Sequence, residues 1–440
     1  MQHPDCRGLP VTIVSAEAAA ALDATLAAYQ GLRADTGDRL KEALALDPDC
    51  PLTLTARGYF MMLFAIKPLA AKARDSLAAA EAAAAKRMIT ERERRHLAAL
   101  RAWCAGHAEA ALEQWEAILA EHPRDVLAIR LAHFWHFYIG DPLKLRDSVA
   151  RVLAGWDETV PGYGFVLGCH AFGLEESGDY VAAERAGRRA VEINPRDAWA
   201  VHAVAHVLEM QDRTDEGIAW LDRYIPGLAG CNNFRFHTTW HRCLFYLEKG
   251  EGSRVLGLYD SEVRAESTPE YLDICNATSL LWRLETAGID VGNRLAELAK
   301  QSAARIGDHS LVFSDAHFAL ALAAADPGTP DRFLTSAKQF ANGTGTQARV
   351  MGEIGAALCE AVIDYRQGNY GRVVDTLLPR RPVLRNIGGS HAQRDLFEQM
   401  LILAALADGR KNVAAELLAE RRRQRPNNRL NRSLEARLAS

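Results

Sequence analysis

Apolar residues recur along most of the chain at spacings of three and four, the pattern of helices that bury one face. Small residues interrupt this pattern at regular distances. In three places a glycine is followed by an alanine five residues later and by a proline twelve residues after that: Gly106/Ala111/Pro123, Gly178/Ala183/Pro195 and Gly409/Ala414/Pro426. Further turns are predicted, at Gly140, Asp212, Gly250, Gly288 and Gly368. The first six turns are 34, 38, 34, 38 and 38 residues apart, so the chain is predicted to be a series of helical pairs.

A period near 34 residues, with a small residue at the turn and a proline at the end, is typical of tetratricopeptide repeats. Such a pair buries its apolar face only against its neighbours. We therefore predict an all-α fold, a right-handed α-solenoid of tetratricopeptide-like helix pairs. Residues 1–15 are expected to form an irregular lead-in, with one short candidate strand at 11–14. Residues 16–440 are expected to form a single continuous helical-repeat domain of about ten or eleven pairs.

Composition narrows the classes of function. The formal charge of −4 is small for 440 residues, and the only basic run is 421–423, interpreted as the solvated end of a helix, so no nucleic-acid partner is expected. Eight cysteines without a Cys-x-x-Cys pair indicate reduced, mostly buried thiols and a cytoplasmic protein. No apolar stretch is long enough for a membrane span or a signal peptide.

Histidines concentrate on two successive first helices, the helices that line the concave wall of such an array. Ten, six and three residues before the turn at Asp212 lie His202, His206 and Glu209, on one exposed inward stripe. One repeat later, His237 and His241 form a second pair with the same spacing of four. Two imidazoles at that spacing reach one metal ion, and adjacent helices pack about 8–10 Å apart. The four histidines are therefore predicted ligands of a divalent metal such as Zn²⁺, although packing in the core would explain either pair alone.

Other residues are candidates for a ligand pocket beside this centre. Glu175 is predicted on the inward stripe of the preceding repeat and is, with Glu209, a candidate acid or base. Trp240 and Trp282 are candidates to stack on a ligand or to fill the groove. His391 follows two glycines and Ser390 at a predicted helix start, where both an anion site and ordinary capping remain open. The roles of three further polar residues remain open: Asp273, Asp315 and His317.

Four segments resemble one family more closely than the general repeat pattern does: Val201–Met210, His237–Phe245, Leu280–Leu284 and Gly388–Phe397. Together they are similar to the tetratricopeptide repeat protein 38 family. The resemblance implies an all-helical, soluble protein and supplies no reaction.

Two hypotheses of function remain. In the first, the concave pocket binds a small molecule through a divalent metal, with hydrolysis as a possible reaction and Glu209 as the proton acceptor. In the second, the array is a scaffold that binds a peptide or protein partner in its groove, the commonest use of this fold. The inward positions show no ladder of Lys and Arg of the kind that clamps peptide tails, which favours the first hypothesis.

Overall fold

The computed structural model describes residues 1–325 and 328–439 and shows an almost wholly helical protein, so the predicted all-α fold is confirmed. Asp326, Pro327 and Ser440 lie outside the described residues. The helices of the first half are α1 Ala16–Gln30, α2 Thr36–Leu46, α3 Pro51–Leu63, α4 Lys67–Lys86, α5 Glu91–Cys104, α6 Ala108–Glu121, α7 Val126–Tyr138, α8 Pro142–Val152, α9 Tyr163–Glu176, α10 Tyr180–Ile193 and α11 Ala198–Met210.

The second half continues with α12 Thr214–Tyr224, α13 Phe234–Lys249, α14 Gly252–Leu258, α15 Tyr271–Thr286, α16 Arg294–Ala303, α17 Val312–Ala325, α18 Thr329–Phe340, α19 Thr346–Val350, α20 Ala356–Arg366, α21 Tyr370–Leu377, α22 His391–Ala407, α23 Lys411–Gln424 and α24 Arg429–Ala439. Consecutive helices such as α5 and α6 or α9 and α10 pack together, and the first helices of successive pairs also touch, as α7 and α9 do. This is the stacking that the repeat pattern predicts. Within the described ranges, no helix is both long and apolar enough to cross a membrane.

All eight predicted turn residues adopt the left-handed backbone conformation. At Gly106, the glycine N–H binds the carbonyl of Trp103, and the next N–H binds the carbonyl of Ala102. The same two bonds recur at every predicted turn and satisfy the last carbonyls of the first helix. Asp212 is the one non-glycine among them, with φ of 55°. A short polar side chain tolerates this conformation at some cost in free energy.

The N-terminal residues differ from the expected irregular lead-in. Strand β1, Gln2–Pro4, pairs antiparallel with strand β2, Pro10–Thr12. Only β2 overlaps the predicted strand at 11–14. Thr12 is buried, and its N–H and hydroxyl both bind the carboxylate of Glu93 on α5, so the hairpin is fixed by a side chain distant in sequence.

The chain divides into two compact units. The first contains residues 1–204, 226–235 and 344–346, and the second contains 205–225, 236–343 and 347–440. Tyr59 and Trp115 are fully buried in the core of the first unit, as are Trp240 and Trp282 in the second. The helices α11 and α13 each begin in the first unit and end in the second.

Inside the second unit, the last helices return to the first ones. Arg425, which follows α23, donates to the carboxylate of Asp212 and to the backbone carbonyl of Glu209. Asn428 donates to the carboxylate of Glu248 at the end of α13. The histidine-bearing stripe was expected to lie exposed on an open wall. It is buried instead, and at Glu209 the end of the same chain folds over it.

Candidate metal centre

The histidines lie within α11, which is apolar on almost every side, and within α13, which is amphipathic. His202 and His206 on α11 are 2% and 0% exposed, and His237 and His241 on α13 are 3% and 0% exposed. A helix spacing of four places each pair on one face, one turn apart. Burial of four imidazoles is uncommon for side chains that are polar at one edge, so the arrangement calls for a chemical reason.

His206, His237 and His241 meet inside the second unit. The ring centroids of His206 and His241 are 4.4 Å apart, and those of His237 and His241 are 4.8 Å apart. Each ring offers a nitrogen within 4.8 Å of the others. His202, the fourth predicted ligand, lies one turn earlier on the same helix and belongs to the first unit. A buried group of imidazoles could therefore hold one metal ion.

Two of the rings are oriented by an acceptor on the opposite nitrogen. His241 Nδ1 lies 3.0 Å from Glu209 Oε2, and His237 Nδ1 lies 2.9 Å from Asn276 Oδ1. A carboxylate accepts a hydrogen bond, so Nδ1 of His241 carries the proton. The amide oxygen of Asn276 also accepts, so Nδ1 of His237 carries the proton as well. Nε2 is then the nitrogen with the lone pair in both rings. Metal-binding histidines usually show this arrangement.

The environment favours neutral imidazoles beside an ionised carboxylate. Burial lowers the pKa of His206 well below its usual range, and the neighbouring His241 and His237 act in the same direction. Burial also lowers the pKa of His237 well below its usual range. His241 acts in the same direction, and the hydrogen bond to Asn276 opposes the shift. For Glu209, burial raises the pKa, but the hydrogen bond from His241 and the charges of Arg425 and Arg283 outweigh it, so the pKa is lowered overall. Neutral imidazole is the form that binds metal.

Of the two predicted pocket tryptophans, Trp240 packs against the centre and Trp282 has no described contact with it. Trp240 stacks on His237 with ring centroids 5.3 Å apart and an angle of 14°, and its indole N–H donates to the hydroxyl of Ser279. Trp282 is 1% exposed and contacts the ring of Tyr365. Neither lines either of the two larger cavities that the structure describes in the second unit. Trp240 therefore holds the ring of His237, one of the predicted metal ligands, in its orientation.

Those two cavities lie beside Glu209 and beside the start of α22. The first has a volume of about 260 Å³, and Glu209 and Arg283 line it. The second, of about 250 Å³, is lined by His391 and Arg394. Asp395, Arg421 and Arg425 line both. Arg421 had been interpreted as part of a solvated helix end, but it is 8% exposed and paired with Asp395, because α23 packs inward against α22.

The remaining candidates have structural partners. Glu175 is fully buried in α9 of the first unit. Ser390 caps α22 through the N–H of Gln393, so ordinary capping occurs next to His391. The residues whose role was open are also buried: Asp315 binds His309 at 3.1 Å, His317 Nδ1 lies 2.8 Å from the carbonyl of Phe313, and Asp273 accepts from Thr268.

Sequence reasoning missed Asn276 and the role of Arg283, both on α15. A signal was present: polar residues at 273, 276, 279 and 283 follow one face of a helix that is otherwise apolar. Sequence reasoning also missed Arg425, whose contacts depend on how the end of the chain folds. Its inward position could not be read from the repeat pattern.

No family model matches the chain. One solved structure with detectable similarity is that of Naa15/Naa10 bound to HypK-THB, at 12% identity and a TM-score of 0.27. The match covers 91% of this chain and 62% of the other, so this chain spans less than two thirds of that protein's length. Similarity this low says nothing about function. The resemblance to the tetratricopeptide repeat protein 38 family therefore stands on the sequence segments alone.

Proposed function

We propose that His206, His237 and His241 bind one divalent transition-metal ion in a buried site of the second unit. The observation that supports this most is the pair of oriented rings. The Nδ1 atoms of His241 and His237 face the oxygens of Glu209 and Asn276, and ligand nitrogens converge on one point. Packing alone does not require two buried rings to share this orientation. On this proposal Glu209 positions the ring of His241, and its negative charge partly balances the positive charge of the metal ion.

Zinc is the ion that fits best. Imidazole suits Zn²⁺, and its tetrahedral sites have Zn–N distances of about 2.0–2.1 Å, which places ligand nitrogens about 3.4 Å apart. The nitrogens here lie within 4.8 Å of one another, so any two of them need to approach each other by about 1.4 Å at most. Neutral imidazoles and one carboxylate next to them also suit a doubly charged ion, because the ion offsets the cost of burying that carboxylate.

We further propose that a small molecule binds in the cavity of about 260 Å³ beside this centre. Glu209 lines that cavity and binds His241, so a ligand there lies one side chain away from the metal. A bound Zn²⁺ lowers the pKa of its water to about 7, which makes hydrolysis accessible, and Glu209 is the nearest candidate proton acceptor. We infer from the sequence segments a relationship to the tetratricopeptide repeat protein 38 family.

The scaffold hypothesis receives less support. It needs the inward residues of the first helices to be accessible to a partner. In the second unit Glu209 is 5% exposed and Arg425 covers its backbone, so this stretch offers no open groove. Binding of a partner elsewhere on the chain would not explain the buried histidines. If the wild-type protein holds no metal in the test below, the scaffold hypothesis gains support.

The test is the metal content of protein purified without a histidine tag and with added zinc, measured by inductively coupled plasma mass spectrometry. We expect about one equivalent of zinc per chain. The double variant His206→Ala, His241→Ala should lose it, and His317→Gln should retain it. His317 is a buried histidine of α17 in the same unit and is therefore a matched control. Wild-type protein without metal, or a double variant that retains it, would contradict the proposal.

A further inference from the structure

Arg283 on α15 is a buried cation with no carboxylate partner within the described ranges. Its side chain is part of the wall of the first cavity, and the residue is 7% exposed. Its guanidinium donates to two backbone carbonyls, of Ser279 at 3.3 Å and of Ala392 at 3.1 Å, and lies 5.6 Å from the centre of the Trp240 ring. A buried charge is costly unless a countercharge accompanies it.

Among the described residues, three carboxylates line the cavity, and each already has another partner. Asp395 binds Arg421, Glu209 binds His241, and Glu248 accepts from Asn428. Arg421, Arg425, Arg429 and Arg437 line the same cavity as Arg283, so five arginines face one space. Burial is the main cause that lowers the pKa of Arg283 to about 10; Glu209 opposes the shift and Arg425 adds to it. The arginines therefore repel one another across a cavity with too few countercharges.

We propose that this cavity binds a small organic anion, carrying a carboxylate or a phosphate group, with Arg283 as its principal countercharge. The planar guanidinium matches both groups through paired hydrogen bonds. The cavity volume of about 260 Å³ is just below the roughly 300–1,000 Å³ of common ligand pockets, which limits the ligand to a small metabolite. The inference deepens the proposed function, because it names the ligand class of the same cavity. It stands on the arginines and not on the histidines.

The test measures anion binding to metal-free protein by isothermal titration calorimetry. Inorganic phosphate and succinate are titrated separately, at constant ionic strength set with chloride, so that the two chemical groups are told apart. Wild-type protein should bind at least one of them. Arg283→Gln should bind at least about tenfold more weakly, the effect of losing one charged hydrogen-bonding partner. Arg423→Gln should bind as wild type does, because Arg423 is an exposed residue of α23 that lines neither cavity.

A second variant covers the case in which Arg283→Gln fails to fold. Arg283→Lys keeps the charge but loses the paired geometry, so it should bind the anion more weakly than wild type and more tightly than Arg283→Gln. Binding to Arg283→Lys equal to wild type would overturn the assignment of Arg283. Wild-type protein that prefers neither anion over chloride would overturn the anion site.

Metal content of the same samples separates the two proposals. Zinc binding without anion binding would refute this inference and support the proposed metal centre. Anion binding without zinc would support the inference and refute the metal centre. Arg283→Gln should still hold zinc, because Arg283 does not contact the predicted ligands.

Discussion

At the scale of single residues, the chemistry of the centre depends on which imidazole nitrogen carries the proton. His241 and His237 each have a side-chain acceptor on Nδ1, whereas His317 has a backbone carbonyl there and packs on the rings of Phe313 and Phe397. An oriented ring is therefore not enough for a metal site. Convergence of several oriented rings is the feature that separates the proposed ligands from an ordinary buried histidine.

Glu209→Gln tests the orienting contact. The variant keeps the shape of the side chain but removes the charge and allows the amide to turn its N–H₂ towards His241. Loss of such an outer partner commonly weakens metal binding by about 10–100-fold. We expect that loss in a competition assay with a zinc chelator, with the helical circular dichroism unchanged. Unaltered zinc affinity would show that Glu209 does not orient a ligand.

The pH dependence of stability is predicted from His317, which lies outside the proposed ligand set. Burial lowers its pKa to about 4, against the hydrogen bond to the carbonyl of Phe313. Below the ordinary value of about 6.5 the unfolded chain takes up a proton that the folded protein does not, so stability falls as the pH falls. Between pH 6.5 and 5 this one residue should cost about 2 kcal/mol.

The measurement is urea unfolding of metal-free wild-type protein and of His317→Gln at pH 7 and pH 5. The free energy of unfolding should fall by about 2 kcal/mol more in the wild type than in the variant. Equal losses in the two proteins would mean that His317 is protonated in the folded state.

At the scale of elements, the repeat turns are formed by contacts between residues close together in the sequence. The contacts that cover the histidine-bearing stripe join residues far apart in the sequence. Each predicted turn depends on one left-handed residue and on hydrogen bonds that close within five residues, as at Gly106. The sequence therefore predicts helices and turns well. The contact between Arg425 and Glu209 joins residues 216 positions apart, and no local pattern indicates it. This is why Glu209 was predicted on an exposed stripe, whereas the structure buries it.

A pair of glycines tests the turn geometry. Gly288 has φ of +82° and Gly257 lies inside α14, and an added Cβ would meet nothing within 4 Å at either position. Gly288→Ala should destabilise the protein by about 1–2 kcal/mol through backbone strain. Gly257→Ala should stabilise it by about 0.5–1 kcal/mol, because alanine favours the helix. Thermal unfolding measures both; the same sign for the two variants would contradict the assignment of the turn.

At the scale of the whole molecule, the second unit closes on itself. Its last two helices bring Arg421 and Arg425 to the helices that carry the histidines, and cavities remain where those elements meet. The strained backbone of Asp212 fits this picture, because its carboxylate accepts from Arg425 and from the N–H of Asn427. A glycine would relax the turn but remove both contacts. Helices of the repeat pattern thus enclose a buried polar centre, formed by histidines, Glu209 and arginines of the second unit.

The coordination of bound zinc tests this account most directly. X-ray absorption at the zinc edge should show three or four nitrogen ligands at about 2.0–2.1 Å, with the outer-shell scattering of imidazole rings. Protein in which His206 and His241 are replaced by alanine should lose that spectrum. Zinc bound through sulfur at about 2.3 Å would place the metal on the cysteines. That result, or a spectrum of zinc with oxygen ligands alone, would contradict the histidine centre.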